Sequence, residues 1–405
     1  GRPLGAEAPS PLAPRESDTL RASLQLDGDL NSGWRWMGAL TYSENDREVY
    51  QPDTINSRLS AALSGTGGNS GTESFSPFDP SSNSPELIEW LSYQTFTNKK
   101  TDLTVADFVV SGDLFEMSAG PVGFAAGAQW REESYSASRN ELYTQSIDPN
   151  TGATIPVDLI FLGGGLPVDE SRDSYAVFAE AMFPLTSSLE ANLAVRYEDL
   201  SSDNSLDPKL SLRWQAADWL VLRASASSAF REPSLVQVYN QETSLQGLVD
   251  PTSGSSSALF VRVNSQGSTA LEPETSTNFN MGAVFTPTDN VAFRVDYWRF
   301  EYEDVITVEN AQGKLNDNPS GADIIRDSAG TLSGVNVVYG NAEEVTTDGI
   351  DLTADWTVPS DVGQFGLHLS ATHFLSYEIP CTAANDRGCT GNNGVQDVAG
   401  YFNYD

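Results

Sequence analysis

Apolar and polar residues alternate with a period of two through most of this chain. In residues 189–197 the odd positions are Leu189, Ala191, Leu193, Val195 and Tyr197, and the even positions are Glu190, Asn192, Ala194 and Arg196. Leu210, Leu212 and Trp214 alternate with Lys209, Ser211, Arg213 and Gln215, and Ile350, Leu352, Ala354, Trp356 and Val358 with Asp351, Thr353, Asp355 and Thr357. This is the pattern of a strand lying between two unlike environments. Similar stretches occur near residues 19–26, 34–43, 102–117, 123–135, 174–184, 219–230, 275–286, 291–302 and 363–376, with another beginning near Val398. The total is about thirteen strands, each near the ~9–11 residues of a tilted membrane strand or somewhat longer.

The connections constrain the fold further. Tight links are expected at 27–33, 118–122, 185–187, 216–218, 287–290 and 359–362. Between them fall links at 44–101, 136–173, 231–274, 303–345 and 377–397, and one short member at 200–206. Turns thus alternate with mostly long connections, as in an up-and-down barrel with short turns on one rim and long external loops on the other. Loops of roughly 40–60 residues would be out of place in a compact soluble domain. Orienting the strands by the turns puts Trp34, Trp36, Trp214 and Trp356 near the turn rim, and Trp130, Tyr197, Phe230 and Trp298 toward the loop rim. Two aromatic girdles bordering an apolar band suit the interfaces of a bilayer. One strand slips: Val291, Phe293, Val295 and Tyr297 share a face, then the apolar phase moves to Trp298, Phe300 and Tyr302. A bulge, or a strand leaving the membrane, is expected there.

Composition excludes other classes. A formal charge of −34, from 56 acids against 22 Lys and Arg, does not suit nucleic acid. No run approaches the roughly 20 apolar residues of a membrane-spanning helix. Low hydrophobicity with high charge is a signature of disorder, but the ordered aromatics oppose it. In the strands, acids fall on the polar face, at Asp107, Glu190, Asp296, Asp351 and Asp355. Cys381 and Cys389 enclose a polar loop with no histidine near, so a zinc site lacks ligands. A local disulfide in an oxidising compartment is expected instead. No targeting signal is visible at the N-terminus. An odd strand count, with a strand-like segment ending at Asp405, reads as the middle of a larger barrel, residues 1–18 being the tail of an external loop and 19–405 a partial barrel.

Three segments carry a resemblance. Residues 207–235 (DPKLSLRWQAADWLVLRASASSAFREPSL) resemble the signature hairpin of TonB-dependent outer-membrane receptors, with its R-W-Q stretch and A-F-R-x-P end. Residues 271–306 (LEPETSTNFNMGAVFTPTDNVAFRVDYWRFEYEDVI) are similar to the P-E-x-S/T-x-N hairpin that follows, and 339–356 (YGNAEEVTTDGIDLTADW) to the next strand start. The resemblance implies an all-β, transmembrane antiparallel barrel of 22 strands with long extracellular loops and an internal plug, of which about thirteen strands are present. It implies a bacterial outer-membrane location and active uptake of a scarce solute (siderophore, oligosaccharide or peptide). Its partners would be outer-membrane lipid, a small solute and the TonB complex, the last reached through a plug segment not found in this sequence. The C-terminal strands are not found either.

Catalysis has little support. His368 and His373 are the only histidines, and their odd separation puts them on opposite faces of one strand. No metal site or cofactor is expected. Asn316, Asn318, Ser320, Gly321 and Asp327 echo a calcium loop only loosely and read as a turn cluster. Arg231 and Pro233 match the family motif and are expected to fix where a strand stops. Ligand contacts are expected from loop aromatics, namely Tyr50, Phe75, Phe78, Tyr143, Phe161, Tyr239 and Phe260. Two other readings share parts of the pattern: a passive porin-like channel, and a soluble acidic β-rich adhesin or glycan-binding module.

Overall fold

A computed structural model of the protein describes residues 12–30, 33–201, 203–341, 344–380 and 395–400. β1 (Arg15–Asp29) and β2 (Arg35–Thr54) are followed by two short helices, α1 (Asn56–Leu63) and α2 (Pro85–Leu91). Next come β3 (Ser92–Met117), β4 (Gly120–Arg139) and a minimal hairpin, β5 (Ser146–Ile147) with β6 (Thr154–Ile155). Four strands run on with short connections: β7 (Val168–Thr186), β8 (Leu189–Asp199), β9 (Asn204–Ala217) and β10 (Leu220–Arg231). Helix α3 (Leu235–Tyr239) and the hairpin β11 (Gln241–Leu248) and β12 (Leu259–Gln266) lead to β13 (Glu274–Thr288) and β14 (Val291–Glu303). β15 (Ile306–Val308), α4 (Ala311–Asp317), β16 (Ile324–Arg326) and β17 (Leu332–Asn341) precede β18 (Val345–Ser360), β19 (Gly363–Pro380) and β20 (Val395–Asp397).

Thirteen of these strands form one sheet, ordered β1-β2-β3-β4-β7-β8-β9-β10-β13-β14-β18-β19-β20, each antiparallel to the next. This is the up-and-down wall that the alternation predicts. Five of its hairpins turn on two residues, for example Ser187 and Ser188 between β7 and β8. Gly120 (φ 140°) and Gly363 (φ 147°) take up backbone angles after such turns that side chains disfavour.

Register shows how the two faces are built. Trp214, Leu222, Ala283, Val295, Leu352 and Ala371 stand side by side across six strands. On the same face Leu24, Leu40, Phe108, Val177, Leu210, Met281 and Leu369 are each between 44% and 64% exposed. An apolar face this continuous cannot remain in water; it is the surface a lipid-facing wall presents. The opposite face carries the strand acids and their partners. There Arg223 forks onto Asp296 (2.9 and 2.5 Å), Arg294 meets Asp355 (2.6 Å), and Gln129 donates to Asp107 (2.6 Å).

The aromatics follow the expected rims, with one correction. Trp34 meets Phe124 edge-on at 6.3 Å and Trp36 stacks on Phe108 at 6.4 Å near the turns. Toward the loops Trp130 donates its indole N–H to Asp173 (3.0 Å) with Tyr175 directly across from it. Trp298 does not join this girdle. β14 keeps register with both neighbours from Val291 through Tyr302 except beside its turn, so the expected bulge is not there. Instead Trp298, Phe300 and Tyr302 line the polar side of the wall, where Phe374 meets Trp298 edge-on at 5.4 Å. Past the lipid band the outward positions are Arg299, Glu301 and Glu303, so the phase shift marks a strand leaving the membrane. The nearby register break lies in the β18–β19 pair, at Asp348 and Gly349.

Strand boundaries move as well. β1 begins at Arg15 rather than near residue 19, and β2 pairs with β3 out to Thr54 opposite Ser92. The connection expected at 44–101 therefore shrinks to 55–91. Antiparallel pairing satisfies backbone groups as well in water as in lipid, so nothing forces a ladder to stop at the interface. Cys381 and Cys389 lie outside the described residues.

Candidate functional site

Among the described residues four long connections lie on one rim, and each folds. In 55–91 the helices enclose Ala62, Phe75, Leu87 and Leu91, with Ser84 capping α2 by accepting from the Leu87 amide (3.0 Å). The connection at 140–167 contributes Val157 and Leu159, which pack on Ile55 beside Tyr93, Leu142 and Tyr143. The connections at 232–273 and 304–344 build a sheet together. β11 pairs β12, β12 runs parallel to β17, and β17 carries β15 and β16 on its other edge. Beneath it Val261, Val263, Val335 and Val337 pack with Ala311 and Leu315 of α4.

Side chains and short backbone bridges then join these units into a cap. Asp53, buried at the end of β2, accepts from the amides of Thr54 (2.6 Å), Phe161 (3.2 Å) and Leu162 (2.8 Å). Burial pushes its carboxyl above the usual range despite those amides. Asp158 takes the amide and hydroxyl of Ser57. Further along, Gln145 donates to Thr243 (2.6 Å), Thr243 to Asn264 (2.7 Å) and Asn264 to Asn336 (2.8 Å). That ladder crosses three connections. The glycines of 163–165 make it possible: a Cβ at Gly163 would collide with Thr243, and one at Gly165 with Arg139.

Charges fix the cap at two places. Glu242 of β11 reaches Lys99 (2.5 Å) and Arg139 (2.6 Å) on the wall. Burial opposes its ionisation, yet the two cations hold its pKa below the usual carboxylate value. Asp250, at the tip of the β11–β12 hairpin, is gripped by Arg326 (2.6 and 3.1 Å) and by Thr252. The Arg326 bonds hold its carboxyl far below the usual range.

The root of the cap is a cluster of buried ions. After Arg231, which forks onto Glu274, the chain turns inward. Glu232 meets Arg172 (3.3 Å) and the Ser201 hydroxyl (2.9 Å), and Arg172 also holds Glu133 (2.6 Å) and the Pro233 carbonyl (2.6 Å). Arg131 and Arg196 share Glu198, which is only 2% exposed. Ser234 and Gln237 form a capping box that starts α3, whose Leu235 packs on Tyr135 and Ala137. Arg231 and Pro233 do mark where β10 ends, and Glu232 between them adds a buried carboxylate to their wall contacts. Sequence reasoning passed over it, along with Arg131, Arg172 and Glu198. A strand-end acid beside a proline, with arginines on the polar faces of earlier strands, was the available signal.

The expected ligand aromatics separate into two groups. Tyr50 is within β2, its ring 5.0 Å from Phe96, so it is not a loop residue. Phe75 is buried in the α1–α2 core and Tyr143 is half-buried, its hydroxyl pushed up by that burial. Phe78 (98% exposed), Phe260 (81%), Phe161 and Tyr239 stand open on three connections. Among the described residues no group of three or more His, Cys, Asp or Glu is arranged to hold a metal ion. His368 pairs with Asp355 (2.7 Å) on the polar face, and His373 lies opposite Ile350 on the apolar one. Asn316 bonds Gln312, Asn318 ends α4 and Asp327 closes its own turn, as a turn cluster does.

Known proteins share this architecture. A family model described as "TonB dependent receptor-like, beta-barrel" matches residues 3–401. The heme/hemopexin utilization protein C of Haemophilus influenzae (strain 86-028NP) is 29% identical over 203 residues, 47% of this chain and 26% of its own length. A ferric enterobactin receptor (PfeA) mutant from Pseudomonas aeruginosa superposes with a TM-score of 0.58 at 16% identity, covering 90% of this chain and 46% of that one. The siderophore receptor PirA from Acinetobacter baumannii gives 0.55 at 16%, covering 90% and 47%. The outer membrane transporter YddB from Escherichia coli gives 0.55 at 12%, covering 90% and 43%. At such identities these structures speak to the fold. The chain spans about half the length of these solved proteins and about a quarter of that curated relative.

Proposed function

The chain belongs to the TonB-dependent receptor-like β-barrel family of the bacterial outer membrane, and from that premise we propose that it forms barrel wall and extracellular cap of a receptor importing a scarce solute. One observation carries the reading: among the described residues the four long connections are on the same rim, and together they fold into a cap presenting open aromatics. A passive channel needs no such cap. A soluble adhesin would not expose a continuous apolar face from β1 to β19.

In this reading the polar face lines the lumen, a plug encoded outside these residues fills it, and the TonB complex acts on that plug. Residues before β1 would belong to a preceding external loop. The names of the relatives suggest two solute classes, heme and ferric siderophores. Heme iron takes an axial protein ligand such as His or Tyr, and both histidines of this chain sit in β19. Tyr239, 40% exposed beside the cap sheet, is an open tyrosine of the cap. A chelate that already saturates its iron needs no such ligand and can rest on Phe78, Phe161 and Phe260, and for that reason the siderophore class is preferred.

The test is a thermal-shift screen of the full-length receptor in detergent against ferric siderophores, hemin, oligosaccharides and peptides. Saturating ligand at ~100 times Kd should stabilise the folded state by about 2.7 kcal/mol. Stabilisation by ferric chelates alone is expected. A shift with hemin that disappears in Tyr239→Phe would replace the siderophore reading, and no shift with any solute would overturn the receptor reading.

A further inference from the structure

The cap sheet has one face covered by α4 and the other covered only in part, since Thr243 and Asn264 are buried under the 140–167 connection. Val261, Val263, Val335 and Val337 point to the side packed by α4. The residues between them in sequence point the other way: Phe260, Arg262 and Asn264 on β12, Gly334 and Asn336 on β17, and Leu245 and Gly247 on β11. Asn264 and Asn336 belong to the ladder already described. Phe260 and Arg262 do not.

Arg262 stands apart from the other cations of the cap. Arg58 donates to the Trp90 carbonyl (2.7 Å), Lys314 lies between Glu309 and Asp323, and Arg326 grips Asp250. Among the described residues the Arg262 side chain makes no hydrogen bond and no ion pair. In a chain with 56 acids and 22 Lys and Arg, a half-buried guanidinium left without a carboxylate is a place where an anion would be welcome. The residues directly across from it are apolar, while Asn264 lies two places along on the same face. Leu245 is directly opposite on β11, and Gly334 is opposite on β17, where the absent side chain lets Ile325 lean across. Two residues along, the Phe260 ring lies over Gly247 and remains 81% exposed.

We infer that Arg262 and Phe260 form a binding site for an aryl carboxylate or similar aromatic anion, framed by Leu245 and Ile325. The guanidinium fork takes the carboxylate through two parallel N–H bonds, which a lysine could not reproduce. The ring of the ligand stacks on Phe260. The aliphatic frame keeps water from one side of the ion pair and strengthens it. Charge complementarity selects this occupant, because the rest of the protein repels anions. The inference rests on the receptor reading and narrows it, since it gives the solute an anionic aromatic group.

Saturation-transfer NMR on the full-length receptor in detergent tests it with benzoate, against benzyl alcohol as the uncharged match. Transfer to benzoate ring protons is expected in the wild type. It should fall about tenfold in Arg262→Gln, the scale of a charge-assisted hydrogen bond, and comparably in Phe260→Ala. Benzyl alcohol should give little transfer in any of the three. Both side chains are outside the packed core, so thermal midpoints should be unchanged. Equal benzoate transfer in wild type and Arg262→Gln, or equal transfer to benzyl alcohol and benzoate, overturns the site. If chelates stabilise the receptor and benzoate ignores Arg262, only this inference falls. If benzoate depends on Arg262 while no solute in the screen binds, the site stands and the receptor reading falls.

Discussion

The wall and the cap of this molecule are held by different physics. In the wall, backbone pairing runs unbroken for up to twenty residues between neighbours such as β2 and β3, and side chains are sorted by the solvent on each face. In the cap, pairing is brief, cores are small, and connections distant in sequence are joined by individual side chains: Asp53 to 161–162, Gln145 to Thr243, Asn264 to Asn336, Asp250 to Arg326. A wall strand can lose one side-chain contact and keep its ladder. A cap link has no such reserve, so single substitutions there should act locally and visibly.

The largest effect is expected where the two meet. Arg172→Met removes the one cation holding Glu133, Glu232 and the Pro233 carbonyl together. Breaking a buried ion pair on one side costs up to about 3–5 kcal/mol, because Glu232 stays buried after losing Arg172, with Arg131 at 4.0 Å and Ser201 beside it. Hydrogen exchange on the full-length receptor should show α3 and the β11–β12 hairpin opening while the ladders of β1 to β4 keep their protection. Loss of protection along the whole wall would show that the cap and wall are not separate layers.

Next comes a substitution that should do the reverse. Leu210→Arg puts a charge in the middle of the lipid-facing row, which costs about 2–4 kcal/mol near the bilayer midplane. Folding into lipid vesicles, measured by denaturant titration, should weaken by that amount, with solute binding by the refolded protein unchanged. An unaltered folding free energy would mean that this face does not meet hydrocarbon.

The same contrast explains what could be read from sequence. The wall was legible because lipid and lumen impose a period of two on every strand, as at Leu210, Leu212 and Trp214, and because each turn is local. Strand ends were less legible: the ladder of β2 runs to Thr54 through polar residues that alternation does not mark. The folding of the cap was not legible, since no local pattern ties Gln145 to Thr243 or Asp250 to Arg326. Loop aromatics could be named as candidates from residue type alone. Whether each was core, like Phe75, or open, like Phe78 and Phe260, depends on helices whose partners lie elsewhere in sequence. Trp298 was misplaced for a related reason: it stands past the level where lipid sorts the faces.

The smallest of the three effects sharpens the account of the cap itself. Asp250→Asn keeps the shape of the side chain but removes its charge, leaving Arg326 with weaker bonds at 22% exposure. The loss should be about 2 kcal/mol, in the range of hydrogen bonds to charged groups. Exchange should quicken in residues 249–262 and 319–335 and nowhere in the wall. The pH dependence has a definite sign. Asp250 is held well below the usual carboxylate range in the folded cap, so its contribution is complete above the ordinary aspartate value of about 4. It is lost as pH falls from there toward the lower folded value, because the unfolded segment takes up the proton first. Local opening of the hairpin should therefore be flat between pH 5 and 8, roughly the range in which neither state binds the proton. It should rise below about pH 4 in the wild type and change much less with pH in Asp250→Asn. A wild-type hairpin whose opening ignores acid would mean that the Arg326 pair does not hold the cap, and that its core of Val261, Val263 and Leu315 suffices.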